Sequence, residues 1–258
     1  MQTLKNLSHR LELTEPRQDP NHDIYGVCRG LGLRFMGIDL VGEGMGIGGV
    51  IGLAGRKALF PLTVETSQLQ QSLKKIFHLN GLSIKFIGPL MVEKPYKMMR
   101  SYLSPLYIGH RSFRPFYTLL MAARSLGGLR SRYMVMRTLA TVEARYKIDE
   151  RSIDVGISVM SANGVNILIA NELSGRIFTS VEVGGRRRGI PPWGEVCQPV
   201  KFHAPSLGLV MGLEPVDGCR MFMGREVLGK RLDWAGASYL LPRGAAGISY
   251  KVSFNWRT

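Results

Sequence analysis

With 258 residues the chain can bury a substantial core as one large all-β domain or as two smaller units, and 45% hydrophobic with 21% charged residues excludes a disordered polymer. Its 34 Lys and Arg against 19 Asp and Glu give a net charge of +15, with 23 Arg to 11 Lys; a guanidinium fork pairs bidentately with carboxylate or phosphate, so the expected partner is anionic. No run reaches the ~18 to 20 apolar residues of a membrane-spanning helix, the first 23 residues carry no secretory leader, and Cys28, Cys197 and Cys219 show no metal-ligand spacing, so a cytoplasmic setting is expected, with no metal and no cofactor.

Residues 1–22 read as a polar lead-in. From Ile24 to Val64 the text turns apolar and rich in glycine. In a strand, glycines at alternate positions near 42–48 share one face and leave it bare, so that a backbone, a ring or a ligand can come close. Gly44, Gly46 and Gly49 formally match a dinucleotide fingerprint, but Val50-Ile51-Gly52-Leu53-Ala54-Gly55 follows instead of a helix, so the spacing loses its meaning. Arg56 to Pro61 reads as a return strand closed by the proline.

Residues 67–129 read as a mostly helical insertion. Ser67 to Gln70 has capping-box spacing, Leu69, Leu73, Ile76 and Phe77 fall on one helical face, and Asn80-Gly81 is a stop. A short strand is expected over residues 83–88. Further helices are expected from Pro95, with Met98, Met99, Tyr102, Leu103 and Leu106, and from Pro115, with Leu119, Leu120, Ala123 and Leu126. Between Lys94 and Arg132 there are nine Lys, Arg or His residues and no acid, interleaved with Tyr96, Tyr102, Tyr107, Phe113, Phe116 and Tyr117. Such a mixture suits a solvated basic lid, an anionic membrane surface, an anionic ligand held by His110, Arg111 and Arg114, or a nucleic-acid backbone with rings stacked on its bases.

Arg132 to Val183 is strand text. Val142, Ala144, Tyr146 and Ile148 alternate with polar neighbours, as do Ile153, Val155, Ile157 and Val159. Residues 149–151, Ser161 to Gly164, Asn171 to Gly175 and Gly184-Gly185 read as hairpin connections of a four-strand meander, Asn163-Gly164 most clearly because both residues tolerate positive φ. Arg186, Arg187 and Arg188 lead through Pro191-Pro192 to Trp193, a loop of the kind that carries anion and sugar contacts. Strands are then expected at Leu207 to Glu214, Cys219 to Met223, Ser238 to Leu241 and Ile248 to Phe254.

The fold expected is therefore mainly β: a large antiparallel two-layer β-sandwich or flattened barrel made of residues 23–66 and 130–258, interrupted by the helical insertion. No nucleophile elbow or zincin motif is present, and the five histidines are scattered. Glu172 and Glu195, on loops at the sheet ends, are the candidate acid and base, with Arg186, Arg187, Arg188, Trp193, His110, Arg111 and Arg114 as ligand contacts. The leading expectation is a soluble β-sandwich protein that binds an anionic small molecule or sugar at one end of the sheets, as a binding or a carbohydrate-handling protein. A peripheral membrane or lipid-handling protein using the basic insertion is one alternative, and a non-specific nucleic-acid binder is another, ranked lower because no helix-turn-helix, zinc finger or RNP-type run occurs.

Overall fold

The computed structural model describes residues 4–6, 11–14, 30–42, 44–54, 57–69, 72–87, 89, 91, 94–96, 98, 126–127, 130–228 and 232–256. Contacts divide the chain into two units, Met1–Gly81 with Arg137–Thr258, and Leu82–Met136. In the second, residues 82–87 and 130–136 are extended, residues 94–96 are helical and Tyr96 is buried.

Eighteen strands are described. A four-stranded sheet joins β1 (Leu4–Asn6), β2 (Leu11–Thr14), β3 (Gly32–Phe35) and β4 (Ile38–Asp39) in that order. The other strands are β5 (Gly46–Ala54), β6 (Lys57–Leu69), β7 (Ser72–Ile87), β8 (Arg130–Asp149), β9 (Ser152–Ala162), β10 (Asn166–Ser174), β11 (Ser180–Val183), β12 (Arg186–Gly189), β13 (Gly194–Val196), β14 (Val200–Ala204), β15 (Leu209–Leu213), β16 (Arg220–Leu228), β17 (Leu232–Leu240) and β18 (Gly247–Trp256). They form one antiparallel ribbon in the order β12-β11-β14-β15-β18-β9-β8-β7-β6-β5-β10-β17-β16-β13.

The ribbon doubles back on itself into two layers. Tyr239 of β17 and Tyr250 of β18 are far apart in strand order, yet their ring centroids are 4.8 Å apart. The Tyr250 hydroxyl donates to Asn171 Oδ1 of β10 at 2.8 Å, and that of Tyr146 in β8 donates to the Gly48 carbonyl of β5 at 3.0 Å. Between the layers lie Val142, Ala144 and Tyr146 from β8, Ile153, Val155 and Ile157 from β9, Ile167 and Ile169 from β10, and Val252 and Phe254 from β18. Each set has period two, which places every second residue of a strand in the core. The two-layer reading therefore describes the sandwich, and the alternation seen in residues 142–159 is the alternation of its core.

Three expectations are corrected. Residues 67–69 and 72–87 are extended, not helical: Leu69 pairs with Ser72, and β7 runs on to Ile87. Leu73, Lys75, Phe77 and Leu79 are buried in strand alternation, followed by buried Asn80. The lysine at one of the inward positions broke the apolar pattern and left Leu69, Leu73, Ile76 and Phe77 looking like a helix face. The helices expected from Pro95 and Pro115 fall almost wholly outside the described residues.

The meander is the second correction. β8 and β9 form a hairpin across Glu150 and Arg151, but β10 pairs with β5 and β17, and β11 with β12 and β14. The β9–β10 connection at Asn163-Gly164 crosses to the other layer. Gly164 has a positive φ of 69° while Asn163 does not, so the two-residue turn that requires positive φ at both central positions is not made. That requirement is met at Gly184 and Gly185, with φ of 57° and 77°, and there Val183 pairs directly with Arg186. β6 also runs straight through Pro61, with a bulge between Pro61 and Thr63, so the proline does not close the strand.

Candidate functional site

Asn171 and Glu172 are consecutive in β10, so their side chains leave opposite faces of the sheet. Asn171 is fully buried between the layers, where its Oδ1 accepts from the Gly48 N–H at 3.0 Å and from Tyr250. Glu172 consequently faces away from the core. Its Oε2 accepts from the Met45 N–H at 3.3 Å. Burial, opposed by that hydrogen bond and reinforced by the negative charge of Glu226, pushes its pKa up to about 7.

Glu172 stands in a row of glycines. It pairs with Gly46 of β5 on one side and Gly236 of β17 on the other, and Gly236 pairs in turn with Gly224 of β16. Other backbone comes close at each: a Cβ would meet the Leu31 carbonyl at Gly46, the Asn171 carbonyl at Gly236 and the Trp193 backbone at Gly224. Directly opposed residues of antiparallel strands point to the same face. The next row on the Glu172 face is therefore Ser174, Trp234 and Glu226, and the row on its other side is Ala170, Ser238, Phe222 and Glu195. The result is a patch of small residues with one carboxylate of near-neutral pKa in it, bordered by a half-buried indole, a phenyl ring and two further carboxylates.

The two predicted carboxylates are held differently. Glu195 lies three strands away from Glu172, roughly 14 Å at the usual strand spacing. It is exposed and takes a two-point contact from Arg220, at 3.0 Å from Nε and 2.7 Å from Nη2. That hydrogen bond keeps Glu195 below the usual carboxylate range, so it stays ionised and tied. The Arg220 guanidinium also lies 5.0 Å from the centroid of the Phe222 ring. Glu226, two residues along β16 from Gly224, is the acid whose charge reaches Glu172 across the bare backbone of Gly236.

Trp193 is half-buried with its backbone against Gly224, and the Arg225 N–H donates to the Pro191 carbonyl at 2.9 Å. Arg186, Arg187 and Arg188 lie on β12, at the other end of the ribbon, all exposed. Of these, Arg187 donates from Nε to Ser180 Oγ at 3.0 Å. His110, Arg111 and Arg114 lie outside the described residues. No group of three His, Cys, Asp or Glu side chains gathers as metal ligands, and no helix is long and apolar enough to cross a membrane, among the described residues.

No protein-family model matches the chain, and no curated protein matches its sequence. Among solved structures it is similar to a candidate aldose 1-epimerase from Escherichia coli K12, at 9% identity over 99% of this chain and 98% of that one, with a TM-score of 0.47. It is also similar to the Slr1438 protein of Synechocystis sp. PCC 6803, at 9% identity over 98% of this chain and 94% of that one, with a TM-score of 0.44.

Glu226 and Trp234 were missed in the sequence. Trp234, Gly236 and Ser238 alternate with Asp233, Ala235 and Ala237, but alanine and glycine carry too little hydropathy contrast to mark a strand, and only its end near Ser238 was legible. The pairing of Arg225 Nε and Nη2 with Asp233 at 2.8 and 2.6 Å, at the end of the β16–β17 hairpin, was hidden for the same reason.

Proposed function

We propose that the chain binds a carbohydrate on the outer face of β10, β17 and β16, and that Glu172 exchanges a proton with a sugar hydroxyl there. The observation that carries this reading is Glu172 itself, a carboxyl with a pKa of about 7 standing between glycines in a row of the sheet. A group that titrates near the working pH is half protonated and serves as either donor or acceptor. Trp234 and Phe222 offer ring faces for the apolar side of a pyranose, and Glu226 offers a hydrogen-bonding group. Cys197 and Cys219 are free thiols, which accords with a cytoplasmic, reducing setting.

The experiment is ligand-induced stabilisation with neutral monosaccharides, uronic acids and sugar phosphates, followed by polarimetry on any sugar that binds. The expected result is a rise in Tm with at least one sugar class, removed by Trp234→Ala. Glu172→Gln should keep the binding and lose any catalysed proton exchange. A Tm unmoved by every sugar at millimolar concentration would sink the proposal.

A further inference from the structure

At the other end of the ribbon the outer face of β12, β11, β14 and β15 carries a cavity of about 260 Å³, lined by Arg187, His203, Ala204, Pro205, Leu209 and Val210, with Gly208 at its turn. β14 is buried through Val200, Phe202 and Ala204, so Lys201 and His203 point the other way, outward. Register completes the wall: His203 is opposite Ser180 on one side and Val210 on the other, and Glu182 is opposite both Arg187 and Lys201.

The polar groups are unevenly satisfied. Lys201 Nζ donates to Glu182 Oε1 at 3.1 Å, which neutralises that pair. Arg187 uses only Nε, on Ser180 Oγ, and its two terminal nitrogens have no carboxylate or carbonyl partner among the described residues. His203 Nε2 is shielded from solvent and makes no hydrogen bond shorter than 3.5 Å among the described residues; its nearest acceptor is Glu182 Oε2, at 3.6 Å. Burial first, and then the charge of Arg187, hold His203 below its ordinary pKa and therefore neutral at pH 7. With Arg187 and Lys201 positive and Glu182 negative, the face carries a surplus of one positive charge. One side of the cavity is apolar, from Pro205 and Val210.

We infer that this cavity binds a small organic monocarboxylate, its carboxylate on the Arg187 fork and His203 Nε2 and its apolar body against Pro205 and Val210. The volume lies just below the roughly 300 Å³ at which pockets for drug-sized molecules begin, which fits an acid of the size of benzoate or hexanoate. A planar guanidinium with two unused donors matches a carboxylate in shape as well as in charge. Arg186 and Arg188 leave the opposite face of β12 and take no part.

The test is titration of the full chain with benzoate, hexanoate, acetate and inorganic phosphate, followed by calorimetry and by amide shifts. Saturable binding of benzoate or hexanoate is expected, with acetate and phosphate at least tenfold weaker because neither has an apolar body. Arg187→Gln should raise Kd at least tenfold and His203→Gln several-fold, whereas Arg186→Gln and Glu172→Gln should leave it unchanged; circular dichroism confirms that each variant is folded. Absence of saturable binding by any carboxylate would overturn the inference. So would phosphate binding as tightly as benzoate, or Arg186→Gln weakening binding as much as Arg187→Gln, since either would mean charge attraction without a shaped site. Because Glu172 lies on different strands, loss of sugar binding and loss of carboxylate binding are separately read.

Discussion

Tyr250 donates its hydroxyl to Asn171 Oδ1 at 2.8 Å across the two layers of the sandwich. This bond, with the Gly48 N–H on the same oxygen, fixes Asn171 inward. By the pleat, it fixes Glu172 outward. Tyr250→Phe leaves the oxygen one donor short in a site without water access, and a loss of about 1–2 kcal/mol is expected by urea denaturation. A loss under about 0.3 kcal/mol would show that the bond does not hold the layers.

Glu172 should make stability fall as pH rises. Its pKa is about 7 in the folded chain and near 4.5 when unfolded. Below pH 4.5 both states hold the proton and the group costs nothing. Between 4.5 and 7 only the folded state holds it, so stability declines with pH, and above 7 the full cost of about 3 kcal/mol is present. Glu172→Gln should abolish this slope and raise Tm at pH 8 while changing little at pH 4. Tm measured from pH 4 to 8 on both proteins checks it.

Glu143 should show the opposite sign. It lies on β8 with Oε2 2.6 Å from Lys74 Nζ and Oε1 2.6 Å from Arg145 Nε. The Lys74 hydrogen bond holds its pKa below the usual value. The stabilisation is therefore whole above pH 4.5 and disappears as pH falls through the lowered folded-state pKa. Glu143→Gln should cost about 1 kcal/mol at pH 7 and close to nothing at pH 2, read from urea midpoints at the two pH values.

Gly48→Ala should be severely destabilising. The residue has φ of 66°, a conformation that an L side chain adopts only with strain, and a Cβ there would sit 2.8 Å from Tyr146 Cε1. The ring must move, and with it the hydroxyl that donates to the Gly48 carbonyl. A cost of about 3 kcal/mol or more is expected, or loss of soluble protein. Gly164→Ala, at φ of 69° in open space, should cost only about 1 kcal/mol and serves as the control for backbone strain alone.

Residues 142–159 were readable because their alternation is clean and their hairpin is local. β7 was not, since Lys75 occupies an inward position and donates to the Gly30 carbonyl at 2.9 Å, a contact 45 residues away in sequence. Nor was the partner choice of β10: a strand buried on its inner face can pair with any strand of matching register, and here β5 and β17 outcompete the neighbour β9. Close approach around residues 42–48 was legible, with the Glu172 carbonyl against Gly44 and the Leu31 carbonyl against Gly46, but the single shared strand face was not: β5 begins only at Gly46, and Gly48 meets the Tyr146 ring. Glu172 was read as a turn residue on a loop at a sheet end, whereas it lies inside β10. Its near-neutral pKa was not legible, because that depends on Met45 and Glu226 reaching it from other strands.

Among the described strands, β18 is the one that joins the group β12-β11-β14-β15 to the group that begins with β9 in the ribbon order. It pairs on one side with β15, some 40 residues earlier, and on the other with β9, about 95 residues earlier, as Phe254 opposite Met211 and Tyr250 opposite Val155 show. Both pairings close long loops before they return any contact energy, which places this step among the slow ones of β-sheet assembly. A chain caught before residues 247–256 dock would present two open sheet edges at once, so the interval before this strand arrives is when the protein is most exposed to pairing with another copy of itself.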